Sequence, residues 1–574
     1  MPTADIKPPV RHFLPQSFSV TTWGELQPYF QNLLDREIDT KEALQDWLYD
    51  LSELDAVISE DASWRQIHMT LDTTNKSYED AFTFFVTEIE PRMKPYGFAL
   101  NKKLMAAPFE KELDRTQYFP YLRNVGNNIK LYREENIPIQ SELSVLAQQF
   151  GVISSKMTVM HDGKEYTLQQ AARFLQNPDR NVREETFRKI AARRLQDRET
   201  LNKLFDDLLQ RRQLVASNAG FDNYRDYKFS ELGRFDYTPE DCFRFHDAIR
   251  EHIMPLQAML QEHRRKRLGL DQLRPWDTDA EPAGTPPLHP FKDGKELSDK
   301  AVEVFTKLRP FFGDCLTTMQ GMQRLDLDSR VGKAPGGYNC PLAETGVPFI
   351  FMNAAGTSGD VITMMHEGGH AVHSFLSHNL PLSAFKEYPM EIAELASMSM
   401  ELFTMEHWDV FYKNADELQR AKIDEMERVI SVLPWIATID KFQHWLYTNI
   451  GHTVAEREAA WLSILQEFST GLVDYTGFEE YRASFWQKQL HLFEVPFYYI
   501  EYGIAQLGAI AMWRQYRNNP QQALDNYMSA LSLGYTRTLK ELYDTAGIKF
   551  DFSNDYVAEL GQFVKGALEE MGLK

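Results

Sequence analysis

His366-Glu367-Gly368-Gly369-His370 constrains this chain more than any other stretch, because its chemistry works only on a helix. At 3.6 residues per turn, His366 and His370 stand one above the other on a single face. Two neutral imidazoles at that spacing chelate one divalent ion, and Glu367 reaches a water on the metal without being a ligand itself. Apolar residues at helical spacing flank the motif: Val361, Ile362, Met364 and Met365 before it, Ala371, Val372, Phe375 and Leu376 after it. Ser358 or Asp360 is expected to cap the start, and Asn379 with Pro381 to stop the helix. Adjacent glycines inside a helix cost about 1 kcal/mol each relative to alanine. Their presence implies that another backbone or a ligand approaches closely there.

A catalytic zinc of this type has three protein ligands and one open position, so a carboxylate is expected on a second helix. Residues 390–401 read as that helix, with Glu391, Glu394 and Glu401 set among Met, Leu and Ala. All three are candidates. Glu394 and Glu401 lie seven residues apart on nearly one face, which suits one to ligate and the other to orient a histidine. A carboxylate-bridged di-iron centre would need a second Glu-x-x-His, and none is found. A mononuclear iron oxygenase also uses two His and one carboxylate, but a base inside the helical His pair argues for hydrolysis.

These residues resemble the thimet oligopeptidase and oligoendopeptidase F family of zinc peptidases, and most of all its oligoendopeptidase F branch. There a His-Glu-x-Gly-His helix is followed by a helix with Glu-x-x-Ser-x-x-x-Glu, which Glu394, Ser397 and Glu401 match. The resemblance implies one zinc per chain, Glu394 as its third ligand and Glu401 behind a histidine. Residues 332–338 before the apolar run 347–351, residues 491–493 leading into 496–502, and the Asp179-Arg180-Asn181-Val182-Arg183 stretch are also similar to the family. The likeness covers about residues 150 to 560. Gly368 departs from it, standing where a bulky apolar residue is common, and Ile500 stands where relatives often carry Tyr.

The oxyanion of peptide hydrolysis needs a donor opposite the metal, and Tyr or His serves in peptide hydrolases of this sort. Aromatic packing accounts equally well for Tyr498 and Tyr502 on the residues alone. The resemblance implies them, with His491, as oxyanion and substrate-binding groups, and leaves open which tyrosine is the nearer donor. Gly336, Gly337 and Tyr338, beside an apolar strand, suggest peptide binding by strand addition, against an ordinary glycine turn.

Elsewhere the chain reads as helix. Leu44, Trp47, Leu48, Leu51, Leu54, Val57 and Ile58 recur at helical steps after a Thr40 cap. Residues 181–215 read as one long helix or two end to end, with Phe187, Ile190, Leu201, Leu204 and Leu208 inward. Residues 156–168 carry a hairpin signal around Asp162-Gly163. The stretch 274–290 lacks an apolar face and reads as a loop or surface insertion, and a small β region spans 324–328 and 347–352. The fold class is therefore mainly α: a large helical protein with a small β-sheet beside the zinc-binding helix. The resemblance implies two helical halves around a deep substrate channel with the metal on its floor. We expect an N-terminal helical domain, 1–195, that includes the hairpin, and a catalytic metallopeptidase domain, 196–574.

A net charge of −21 disfavours nucleic acid and anionic membrane as partners. Three cysteines, Cys242, Cys315 and Cys340, fit a reducing compartment and exclude a disulfide framework or a Cys-based zinc knuckle. No signal-peptide core stands at the start and no run approaches the roughly 18 apolar residues of a membrane span, so a cytoplasmic protein is expected. The reading as a whole is a zinc endopeptidase of short oligopeptides with Glu367 as general base. A zinc carboxypeptidase on a related helical fold, or an inactive peptide-binding protein, is the alternative. Side-chain preference and oligomeric state are not set by the sequence.

Overall fold

The structure is a computed structural model that describes residues 10–282 and 284–573. They form two compact units, each assembled from three separated stretches. One comprises residues 10–132, 288–422 and 505–550, the other 133–287, 423–504 and 551–573. The described residues are mainly helical, with five short strands in two small sheets. No helix among them is long and apolar enough to cross a membrane.

In the second unit, β1 (Thr158–His161) and β2 (Lys164–Thr167) form the expected antiparallel hairpin. Its two-residue turn places Asp162 and Gly163 in the left-handed region, at φ 49° and 76°, as a tight hairpin demands. The charged segment that follows is two helices end to end, Arg180–Gln196 and Arg198–Asn218, broken at Asp197. Stretches 274–282 and 284–287 are irregular apart from one short turn, Pro275–Asp277, yet the first of them does not start on the surface. Trp276 packs against Phe187 and Phe478, and Asp277 is fully buried. A carboxylate there must be paired. Arg180 and Arg183 supply the partners, at 2.8 and 2.9 Å, so the Asp179–Arg183 signature clamps a loop from 94 residues downstream.

In the first unit, the Lys41–Leu71 helix begins as expected at Thr40, whose side chain accepts from the Ala43 N–H at 3.0 Å. The sheet beside the motif has strands β3 (Leu325–Asp328), β4 (Tyr338–Cys340) and β5 (Phe349–Ala354) in the order β3-β5-β4. Central β5 runs parallel to β3 and antiparallel to β4, which forms an edge. Because both neighbours and both faces enclose it, Phe349 to Met352 are all buried, and the sequence shows an unbroken apolar run.

β5 feeds the Ser358–Ser377 helix that carries the motif. The cap is Thr357, one residue earlier than expected. Its side chain accepts from the Asp360 N–H while Asp360 reaches back to the Thr357 N–H, a reciprocal arrangement that leaves Ser358 as the first helical residue. The second helix, Met390–Thr404, is buried along every residue from Glu391 onward. It meets the motif helix at Gly369, where a Cβ would lie 2.7 Å from the Ser397 Cα and 2.8 Å from the Ala396 carbonyl oxygen. At Gly368 a Cβ would lie 2.4 Å from the Phe305 ring, on the Gly294–Leu308 helix. The glycines are there because neighbours occupy the space. Gly369→Ala gains about 1 kcal/mol of helix propensity and loses about 1–3 kcal/mol to overpacking, more because the opposing atoms are backbone. We expect a lower Tm by calorimetry; an unchanged or raised value would contradict this packing.

Candidate active site

The two helices bring one donor atom each from His366, His370 and Glu394 within 4.8 Å of one another. His366 Nε2 lies 3.3 Å and His370 Nε2 3.8 Å from Glu394 Oε2. Bonds of about 2.0–2.2 Å to a tetrahedral zinc set ligand atoms roughly 3.3–3.6 Å apart, so these donors fit a single ion with little movement. Glu391, buried on the same helix, lies outside the group.

Glu401, two turns beyond Glu394, places Oε1 2.5 Å from His366 Nδ1. That contact holds the proton on Nδ1 and leaves Nε2 as the metal-facing nitrogen. Ser397 Oγ donates to Glu394 Oε2 at 3.1 Å. The Tyr527 hydroxyl donates to the Ala396 carbonyl at 2.8 Å and the Tyr543 hydroxyl to the Glu391 carbonyl at 3.1 Å, which anchors the acidic helix.

Electrostatics separates the three acidic and basic groups at the centre. Burial alone would raise the Glu394 carboxyl, but the imidazoles of His366 and His370 outweigh it and hold it at about 2. Burial depresses His370 to about 4, so its imidazole is neutral near pH 7, as a ligand must be. Glu367 is pushed up to about 7, chiefly by burial and further by the Glu394 charge. A carboxyl poised near neutrality is suited to taking and returning a proton.

Edge strand β4 lies beside this turn, since Asn339 donates its side-chain N–H to the Glu367 carbonyl at 3.2 Å. Nothing in the local sequence marks Asn339 for that contact. Gly336 is left-handed, at φ 102°, and the Asn353 amide pins the loop by donating to the Ala334 and Gly336 carbonyls at 2.7 and 2.8 Å. The Tyr338 ring stacks on Phe351 at 4.8 Å and its hydroxyl lies 2.6 Å from that of Thr70, so this side chain is committed to the core. What β4 presents at the sheet edge is therefore backbone.

His491, Tyr498 and Tyr502 belong to the second unit and gather there in one cluster. The His491 ring lies 6.1 Å from both tyrosine rings, which are themselves 5.1 Å apart. Gln489 contacts His491 Nδ1 at 2.6 Å, and burial depresses this imidazole to about 4. Tyr499, which the sequence did not single out, has the ring nearest to His491, at 4.7 Å. The helix Tyr499–Asn518 begins after Tyr498, so a shared helix face does not align the two tyrosines. Tyr498 is set instead by Phe497, left-handed at φ 67°. That conformation costs about 1–3 kcal/mol in a non-glycine residue. It is held by the Phe497 N–H donating to Gln443 Oε1 at 2.5 Å and by the Phe497 carbonyl accepting from Arg234, which also pairs with Glu501 at 2.8 Å. Ile500 is buried.

Two imidazoles and a glutamate gathered by a helical scaffold suit a single cation, in the manner of the His-Glu-x-x-His motif. Residues 173–562 match peptidase family M3 and residues 13–132 match the peptidase M3 N-terminal domain. The chain belongs to peptidase family M3. It is similar to a Lactococcus lactis oligoendopeptidase F homolog, 21% identical over 411 residues that span 69% of this chain and 65% of that one. The fold is shared with PZ peptidase A, solved with an inhibitor, at a TM-score of 0.90 and 26% identity over 97% of this chain and 99% of that one. It is also shared with a provisionally assigned oligoendopeptidase F from Bacillus anthracis, at 0.85 and 24% over 97% of each chain. Membership of the family implies a metal, and the donor set suits one. If Glu401 orients His366, Glu401→Gln should weaken metal binding about 10- to 100-fold in a chelator competition; unaltered affinity would remove that role.

Proposed function

We propose that this protein is a zinc-dependent endopeptidase that cleaves internal bonds of short peptides. The observation that carries the reading is the convergence of His366, His370 and Glu394 with a buried, upward-shifted Glu367 on the same helical turn. Zinc, when bound, supplies Lewis acidity that lowers the pKa of the attacking water from 15.7 to about 7 and polarises the scissile carbonyl. Glu367 takes the proton from that water onto its carboxylate and hands it to the departing amine nitrogen. Glu401 keeps the His366 proton on Nδ1 and so preserves the Nε2 lone pair.

We assign His491, Tyr498 and Tyr502 to the charge that develops on the scissile oxygen. Their support is the chemistry of phenols beside a neutral imidazole, together with the similarity to oligoendopeptidase F. We assign β4 and its Gly336-Gly337 entry to backbone pairing with an extended peptide. Asn339 ties that strand to the Glu367 turn, and pairing through main-chain groups tolerates varied side chains. Three cysteines, none of them in a disulfide, agree with a cytoplasmic setting.

Glu367→Gln should lower kcat on an internally quenched peptide by about 10²–10⁴ with metal content unchanged; retained turnover would sink the general-base role. At least one of Tyr498→Phe and Tyr502→Phe should lose roughly 10²–10³ in kcat, whereas two fully active variants would withdraw the oxyanion assignment. Mass spectrometry of products from a peptide of roughly ten residues should show paired internal fragments. Sequential loss of single C-terminal residues would indicate a carboxypeptidase instead.

A further inference from the structure

A second cluster of metal-ligating side chains lies in the second unit and shares no residue with the His366, His370 and Glu394 group. The helix Pro239–Ala248 contributes Cys242 and His246, four residues apart, and the helix Ala415–Thr448 contributes Asp440 and His444, again four apart. Each pair therefore stands on one helix face, and the two faces meet. Donor atoms of Cys242, Asp440 and His444 all lie within 4.8 Å of one another. His246 Nε2 is 2.8 Å from Asp440 Oδ2, and His444 Nε2 lies 3.3 Å from the same oxygen but off the geometry of a hydrogen bond. Asp440 Oδ1 and both nitrogens of His444 make no hydrogen bond to other groups of the protein.

All four residues are buried, none exposing more than 3% of its surface. That excludes a nucleophilic role for Cys242, since no substrate reaches it. It also sets a charge problem, because a buried carboxylate needs a compensating cation. No Lys or Arg is ion-paired with Asp440 among the described residues. Burial opposes its ionisation, but the two imidazoles outweigh that and hold its carboxyl well below the usual range, while burial depresses His246. Phe229, Phe243 and Phe497 pack their rings around that of His444.

We propose that Cys242, Asp440 and His444 form a second, structural site for a zinc-type divalent cation, with His246 donating to Asp440 from behind. Thiolate, imidazole and carboxylate are all donors that zinc takes, a bound water would complete the tetrahedron, and drawing the three from within 4.8 Å to its roughly 3.3–3.8 Å edges needs only side-chain adjustment. Binding displaces the thiol proton, and the charges of thiolate and carboxylate then balance the dication. The site would pin two helices of the second unit and shares no ligand with the His366 centre, so it stands or falls independently of the peptidase reading.

The test uses the full chain, equilibrated with Zn²⁺, desalted and assayed by plasma mass spectrometry. The wild type should hold two equivalents and His366→Ala/His370→Ala one; a double variant that holds none overturns the proposal. Cys242→Ser should lose one of the two, and a Cys242→Ser chain that keeps both overturns it as well. Should either variant fail to fold, the wild type decides alone. Co²⁺ gives a thiolate-to-metal charge-transfer band in the near ultraviolet only when sulfur is a ligand, and the His366 centre contains none. The band is expected in the wild type; its absence there overturns the site.

Discussion

The distance between two helix backbones at Gly369 governs the rest of the centre. His366 and His370 share a helix, so their spacing is fixed by helical geometry, but the third donor comes from elsewhere. Glu394 reaches within 3.3 and 3.8 Å of the two imidazoles only because the motif helix has no side chain where Ser397 and Ala396 pass. A wider separation would leave the two imidazoles without a carboxylate and take both imidazoles from the buried Glu394, a loss of several kcal/mol. The same approach presents Glu401 to His366 Nδ1, so one packing contact sets both ligand geometry and histidine tautomer. The hydroxyls of Tyr527 and Tyr543 brace the acidic helix from behind.

Local features of the chain were legible because they repeat at the period of the element that bears them. The motif helix, the Thr40 cap, the Asp162-Gly163 hairpin and the paired helices after residue 180 all show in the residues. The motif cap slipped by one position because Thr357, Ser358 and Asp360 are all capping residue types, and only the reciprocal bond to Asp360 selects Thr357. Contacts between distant segments carry no such period. Asp277 in a Pro- and Gly-rich stretch looks like a surface residue until Arg180 and Arg183 are seen around it. Asn339 beneath Glu367 and Tyr499 beside His491 are likewise products of packing. Each compact unit draws on three separated stretches for the same reason.

Buried charge recurs at these junctions, always with its partner supplied from another segment. Lys333, with its ammonium between Asp326 and the face of Phe351, fastens the glycine loop to the sheet. Asp277 fastens an irregular stretch to a helix, and Arg234 with Glu501 and the Phe497 carbonyl fastens the turn before Tyr498. Such pairs add little net stability over apolar packing, but breaking one partner typically costs about 3–5 kcal/mol. They therefore specify which segments meet more than how tightly the chain folds.

Gly368 and Phe305 trade bulk across an interface between two helices. A large residue at 368 would need a smaller one at 305, the same volume filled from the opposite side. A lineage crossing from one solution to the other passes through either an overfilled joint or a hole, both unfavourable by roughly 1–5 kcal/mol. The two sites are thus expected to drift as a couple, and a large residue introduced at 368 would have to bring along a smaller one at 305.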